Sequence, residues 1–233
     1  MRENYTVRYK VDIVFCIDVT GSMSPIINMV KGNILKLYGD VMEEMRKKNK
    51  KVSGLRVRVI AFRDYGADGE NAMMASEFFT LPDEDADLKE CVDYFVAEGG
   101  GDIPEDGLEA LAYAIKSDWV KDGDKRRHVI VLCSDAPANE IGANSEAELY
   151  PKGMPKSFEE LSAWWGDPYC KGLMEELAKR LVIFAPDNNA CECEGQWERI
   201  AKHWTNVIFV PNATEGLESV DYQVVLSTIA NTI

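Results

Sequence analysis

Asp18, Thr20 and Ser22 occupy alternate positions in DVTGSM, so a tight turn can aim one carboxylate and two hydroxyls at a single point. Hard oxygen donors of this kind suit Mg²⁺, Mn²⁺ or Ca²⁺, and one such ion is the expected cofactor. Gly21 supports the close turn. The bland alternative is an ordinary strand-to-helix turn, in which the hydroxyls only cap the helix that follows. Two more acidic centres are candidates for the same ion. Asp135 ends the apolar run HVIVLCS, and Asp102 lies in GGGDIPEDGLEAL with Glu105 and Asp106 close behind. For Asp102 the competing role is a charge at a helix amino end, favoured by the helix dipole.

These groups need elements to bring them together. Val11 to Ile17 is a short, β-branched apolar run ending at Asp18, and an amphipathic stretch from about Pro25 to Lys48 follows. That pattern is a buried strand feeding a helix. Further strands are expected at Leu55 to Phe62, Met73 to Leu81, His128 to Ser134, Leu181 to Ala185 and Val207 to Val210. The Met73 to Leu81 strand is expected to return antiparallel as a sheet edge. Helices are expected at Asp85 to Ala97, Pro104 to Ser117, Leu173 to Arg180, Glu194 to His203 and Gly216 to Ala230, with FEELSAWW helical inside an insert at about 138–170. The alternation predicts a Rossmann-like, doubly wound α/β fold. Its mostly parallel sheet has six strands, one antiparallel edge strand and helices on both faces. With strand order 3-2-1-4-5-6 the ligand crevice opens at the carboxyl ends of strands 1 and 4, which Asp18 and Asp135 terminate.

A chain of 233 residues, 46% of them hydrophobic, can bury one large core, so 1–233 reads as a single domain. The formal net charge of −14 disfavours nucleic acid and anionic membranes as partners, since both need a basic face. No apolar run reaches the roughly 18 residues of a membrane span, and MRENYTVRYK lacks a secretory apolar stretch. The expectation is a cytoplasmic protein without disulfides, with Cys16 and Cys133 acting as small buried hydrophobes. Oligomeric state is not legible.

The strand ending DVTGSM resembles the Asp-x-Ser-x-Ser signature of von Willebrand factor type A domains, which opens their metal-ion-dependent adhesion site. GGGDIPEDGLEAL is similar to that family's second metal loop, and VIVLCSDAPAN to its fourth strand and third-loop Asp. The resemblance covers Val11 to Ile229 in the family's order of elements. It implies that Thr20 and Ser22 donate hydroxyl oxygens and that Asp18 and Asp135 bind directly or through water. An open coordination position then takes an acidic group of a partner protein. The second loop departs from the pattern, with Asp102 where the family places a Thr. A carboxylate there tightens cation binding but lessens the positive charge left to attract an acidic guest. FRDYG and GGGDIPED most resemble the intracellular branch, including domains associated with alpha-type kinases and bacterial cytosolic members.

The reading that follows is a metal-dependent binding module in cytosolic assembly or signalling, not an enzyme. The alternative is a Mg-dependent phosphotransferase or phosphatase of haloacid-dehalogenase type, with Asp18 as nucleophile. Against it, no Lys follows Asp18, Asp135 lacks an adjacent acid, and no phosphate-clamping Lys motif is evident. A third possibility is a structural module with a vestigial site. Arg63 and Asp64 are candidates either to orient the site or for a functionless rim salt bridge. Trp164 and Trp165 are candidates for an exposed anchor beside the cation or for packing of the insert. Cys191 and Cys193 with Cys170 and His203 lack the paired spacing of a zinc site.

Overall fold

The computed structural model describes residues 7–101, 103–186, 195–212 and 222–233. Its strands are β1 (Arg8–Asp18), β2 (Lys51–Phe62), β3 (Met73–Ala75), β4 (Phe79–Leu81), β5 (Lys125–Cys133), β6 (Lys179–Pro186) and β7 (Val207–Asn212). Its helices are α1 (Ile27–Lys47), α2 (Tyr65–Asp68), α3 (Asp85–Tyr94), α4 (Gly107–Ile115), α5 (Phe158–Trp165), α6 (Gln196–His203) and α7 (Tyr222–Thr232). The sheet order is β3-β2-β1-β5-β6-β7, with β4 also paired to β2. All neighbours are parallel except β3 and β4, which run antiparallel to β2.

Burial on both faces explains the unbroken apolar strands. Along β1, Val11, Ile13, Phe15 and Ile17 enter one core with α1, α3 and α7, while Val14 and Cys16 enter a second core with α4, α5 and α6. The period of two thus serves two apolar layers at once. On α1 the buried residues Val30, Ile34, Leu37, Val41 and Met45 recur at three- and four-residue spacing, one stripe facing the sheet.

Two expectations are corrected. The sheet has seven strands, because the predicted Met73 to Leu81 strand breaks into β3 and β4. At the break the Ser76 hydroxyl, in place of a backbone carbonyl, accepts from the Val59 amide at 3.0 Å, interrupting the ladder. The predicted helix Leu173 to Arg180 is only a turn, in which the amides of Ala178 and Lys179 reach back to the Glu175 carbonyl. Lys179 then joins β6, opposite His128 of β5. Helical spacing in LMEELAKRL does not override that pairing, and Leu173 and Leu177 remain exposed.

The insert is fastened to the domain at its far end by Lys179. This fully buried ammonium donates to the carbonyls of Trp165 at 2.7 Å and Gly166 at 2.8 Å, and pairs with Glu176. Trp165 is itself buried and stacked on Trp204. Trp164 lies under the Lys116 ammonium, just beyond the end of α4 opposite the second loop. Both Trp residues therefore pack the insert, and the anchor reading is set aside. Lys179→Met should destabilise the fold by about 2–4 kcal/mol, since it strands two buried carbonyls and one carboxylate. Urea unfolding measures this, and a loss within error of zero would contradict the fastening role.

Candidate metal centre

Asp18 closes β1 beside β5, in register with the residue after Cys133. The backbone turns sharply after it, tied down by Val19 N to Phe62 O at 3.0 Å, Glu98 N to Val19 O at 3.0 Å and Gly21 N to Gly99 O at 3.0 Å. These three bonds hold the first loop between β2 and the glycine-rich loop. Gly100 sits at φ +78, and a Cβ there would lie 3.0 Å from both the Thr20 side chain and Glu105 Oε1. The glycine lets the second loop close onto the first.

The turn makes a chain of oxygens. Thr20 donates to Asp18 Oδ1 from its amide at 2.9 Å and from its hydroxyl at 2.6 Å. Thr20 Oγ1 lies 3.1 Å from Ser22 Oγ, which donates to Asp135 Oδ1 at 3.0 Å. Asp18, Thr20, Ser22 and Asp135 are thus brought together, and the chain runs from a fully buried carboxylate at Asp18 to an exposed hydroxyl at Ser22. Asp102 lies outside the described residues, as do Cys191 and Cys193 of the zinc alternative.

The capping alternative does not account for the hydroxyls. Helix α1 begins at Ile27 behind Ile26, and no side chain caps it. A 3₁₀ turn, Gly21–Met23, intervenes, with no side-chain cap from Thr20. Both hydroxyls bond within the oxygen chain instead. The chain fits a hard cation: neighbouring ligand oxygens around Mg²⁺ at about 2.0–2.1 Å lie about 2.9 Å apart, and here the Thr20–Ser22 and Ser22–Asp135 spacings are 3.1 and 3.0 Å. Among the described residues no three His, Cys, Asp or Glu side chains converge on one metal position.

Ser134 was not singled out from the sequence. Its hydroxyl donates to Asp18 Oδ2 at 2.7 Å, so both oxygens of Asp18 are engaged. Its only signal was position, immediately before Asp135. Arg63 is a buried clamp as well as one partner of a rim ion pair. It donates to the carbonyls of Val19 at 3.2 Å, Asn71 at 3.0 Å and Val96 at 2.9 Å, tying together the loops after β1 and α3. Its nearest carboxylate is Glu98, at 3.8 Å.

Behind the oxygen chain lie further buried carboxylates. Asp106 accepts from the Tyr65 amide at 2.7 Å, from Asn139 Nδ2 at 2.9 Å and from Asn144 Nδ2 at 3.0 Å. Asn144 also donates to Asp64 at 2.9 Å. Glu109 accepts from the Gly142 amide and the Tyr150 hydroxyl, each at 2.9 Å. Asn139, Gly142, Asn144 and Tyr150 all belong to the insert, so its first half is docked on the second loop and α4 through these acids. Burial pushes Asp18 up to about 6, with Asp135 adding repulsion against the hydrogen bonds that lower it. Burial, reinforced by neighbouring carboxylates, pushes Glu105 to about 8 and Glu109 to about 7.

No protein-family model matches the chain. Alpha-protein kinase vwkA of Dictyostelium discoideum is 26% identical over 149 residues, which is 64% of this chain and 22% of the kinase. The match therefore spans about a fifth of that relative's length. The pilus adhesin SpaC of Lactobacillus rhamnosus GG superposes at TM-score 0.52 and 12% identity, over 98% of this chain and 31% of the adhesin. The vWF domain of the pili tip protein Mfa5 from Porphyromonas gingivalis scores 0.38 at 21% identity, over 58% of this chain and 40% of that one. At that score it adds nothing to the fold. The architecture is consistent with the Rossmann-like fold of von Willebrand factor type A domains, and its parallel core, antiparallel edge and flanking helices are those expected from the sequence.

Two outcomes follow from this geometry. Arg63→Lys keeps the charge but cannot hold three carbonyls, and should destabilise the metal-free protein by about 1–3 kcal/mol; equal urea midpoints would refute the clamp. The shifts at Asp18, Glu105 and Glu109 are all upward, so these three buried groups hold more protons in the folded state than in the unfolded state between about pH 4 and pH 8. Metal-free stability should then fall as pH rises through that window, by an amount on the order of a few kcal/mol. A flat or rising profile by urea titration would show that these groups ionise without penalty.

Proposed function

We propose that this chain is a divalent-cation-dependent protein-binding module. Asp18, Thr20, Ser22 and Asp135, with Asp102 as the remaining member of the set, hold one Mg²⁺, Mn²⁺ or Ca²⁺. An acidic group of a partner protein completes the coordination. The observation that carries this reading is that Thr20 and Ser22 spend their hydroxyls on a carboxylate-to-carboxylate oxygen chain and not on a helix cap. A bound cation offers its open position to an anionic oxygen, and the surrounding loops choose which protein supplies it.

Those loops have suitable chemistry. Val96 and Ile103 flank the glycine-rich loop with 55% and 69% exposure, apolar contacts of a kind that excludes water around a polar anchor. The insert, docked on the same loop through Asp106 and Glu109, is positioned to add selectivity. The reading places the protein in the cytosol, in assembly or signalling, where the buried thiols Cys16 and Cys133 stay reduced. The kinase activity in the name of the Dictyostelium discoideum relative is not carried over. Among the described residues no helix is long and apolar enough to cross a membrane.

The reading is of a binder and not a catalyst. Asp18 is fully buried and both its oxygens accept hydrogen bonds, which disfavours it as a nucleophile that must meet a phosphoryl group. Calorimetry on chelator-stripped protein should find one equivalent of cation bound, abolished by Asp18→Ala. Affinity should weaken as pH falls through about 6, because the proton on Asp18 competes with the ion. Absence of binding to wild type at neutral pH would sink the reading. Beryllium fluoride, which caps a nucleophilic carboxylate, should not bind; stoichiometric binding dependent on Asp18 would favour the phosphotransferase.

A further inference from the structure

Among the described residues, Glu105 is a carboxylate beside the oxygen chain whose role neither the hydrogen bonds nor the proposed ligand set explains. It is 5% exposed, and its Oε2 has no hydrogen-bond partner among the described residues. Its backbone is fixed from both sides. The Glu105 amide donates to Pro137 O at 3.1 Å, and its carbonyl accepts from the Asn139 amide at 2.8 Å, so the second loop is stitched to the loop that carries Asp135. The side chain then turns toward the first loop, where Oε1 and the Thr20 side chain lie 3.0 Å from the same point over Gly100.

A buried carboxylate oxygen with no donor costs free energy, relieved by a proton in the metal-free protein or by a cation within electrostatic reach when one binds. Glu105 does not converge with Asp18 and Asp135 into a three-carboxylate ligand set. We infer that Glu105 acts on the cation of the Asp18 centre from the outer sphere, supplying the second loop's negative charge and thereby setting which partner groups the ion accepts. This inference rests on the cation reading of that centre. Outer-sphere carboxylates orient ligands and raise metal affinity without touching the ion. A further negative charge here strengthens cation binding while reducing the residual positive charge offered to a partner's carboxylate. The partner contact is therefore weaker than in a centre with a neutral side chain at this position, which suits a reversible module.

The test is calorimetry of Mg²⁺ and Mn²⁺ binding to chelator-stripped full-length wild type, Glu105→Gln, Glu105→Asp and Asp18→Ala, with urea unfolding of each metal-free protein. Glu105→Gln should bind cation about 10-fold more weakly or worse, unfold at higher urea without metal, and bind acetate more tightly once saturated with Mn²⁺. Glu105→Asp, which keeps the charge, should retain most of the cation affinity. Wild-type affinity in a folded Glu105→Gln overturns the inference while leaving the centre intact. Equal losses in Gln and Asp variants also overturn it, because charge would not be the cause. If wild type binds no cation, the failure lies in the reading of the centre itself, and the inference falls with it.

Discussion

A carboxylate buried at the end of the central strand is the constraint around which this domain is arranged. Asp18 is fully buried where β1 leaves the sheet between β2 and β5. An ionised carboxylate in such a place is tolerated only when its oxygens are met by donors or a cation. The protein supplies donors from three directions: the Thr20 amide, the Thr20 hydroxyl and the Ser134 hydroxyl. They come from two requirements of the chain, the first two from the sharp turn after β1 and the third from the residue that follows the parallel neighbour β5. All are neutral, and the charges nearby are further acids. Hydrogen bonding is thus satisfied, while burial and the nearby Asp135 still push the Asp18 carboxyl upward.

Holding the donors in place requires the loops to be rigid, and Arg63 does much of this. A guanidinium has five N–H groups in a planar fork, suited to several carbonyls at once. Here it spans the loop after Asp18 and the segment leading to the glycine-rich loop. Among the described residues the carboxylate paired with it is Glu98, itself exposed and 3.8 Å away, while three backbone carbonyls take its hydrogen bonds. The same economy of cations is seen at Asp106 and Glu109. Their partners include amide and hydroxyl groups of the insert, and the insert is thereby locked to the second loop. Any movement of that loop would be transmitted to the insert through Asn139, Asn144 and Tyr150.

Much of this was legible from residue order. Strands buried on both faces announce themselves as continuous apolar runs, and β1, β5 and β6 do so because neither face can carry a polar residue without entering a core. Alternate spacing in DVTGSM likewise encodes a local geometry, since three side chains on a single turn cannot diverge far. The failures share a cause. The segment 173–180 has helical spacing, yet β6 claims Lys179 through pairing with His128, a contact set by a strand fifty residues earlier in the fold. Ser76 divides the edge strand by lending its hydroxyl to an amide of β2, which no property of MMASEFFTL reveals.

Residue identities and local spacing therefore carried the fold class, the approximate elements and the three oxygen-bearing side chains of DVTGSM, since these depend on periodicity and on one tight turn; Asp135 was placed beside them through the expected strand order. Whether the hydroxyls serve a cap or a carboxylate chain depended on where α1 begins, and that is decided by packing. Likewise the burial of Arg63, the engagement of Ser134, the docking of the insert and the unpartnered oxygen of Glu105 arise only when β1, β2, β5 and the second loop meet. Hydrogen-bond satisfaction and desolvation are properties of the assembled neighbourhood, formed by residues far apart along the chain, and no linear pattern carries them.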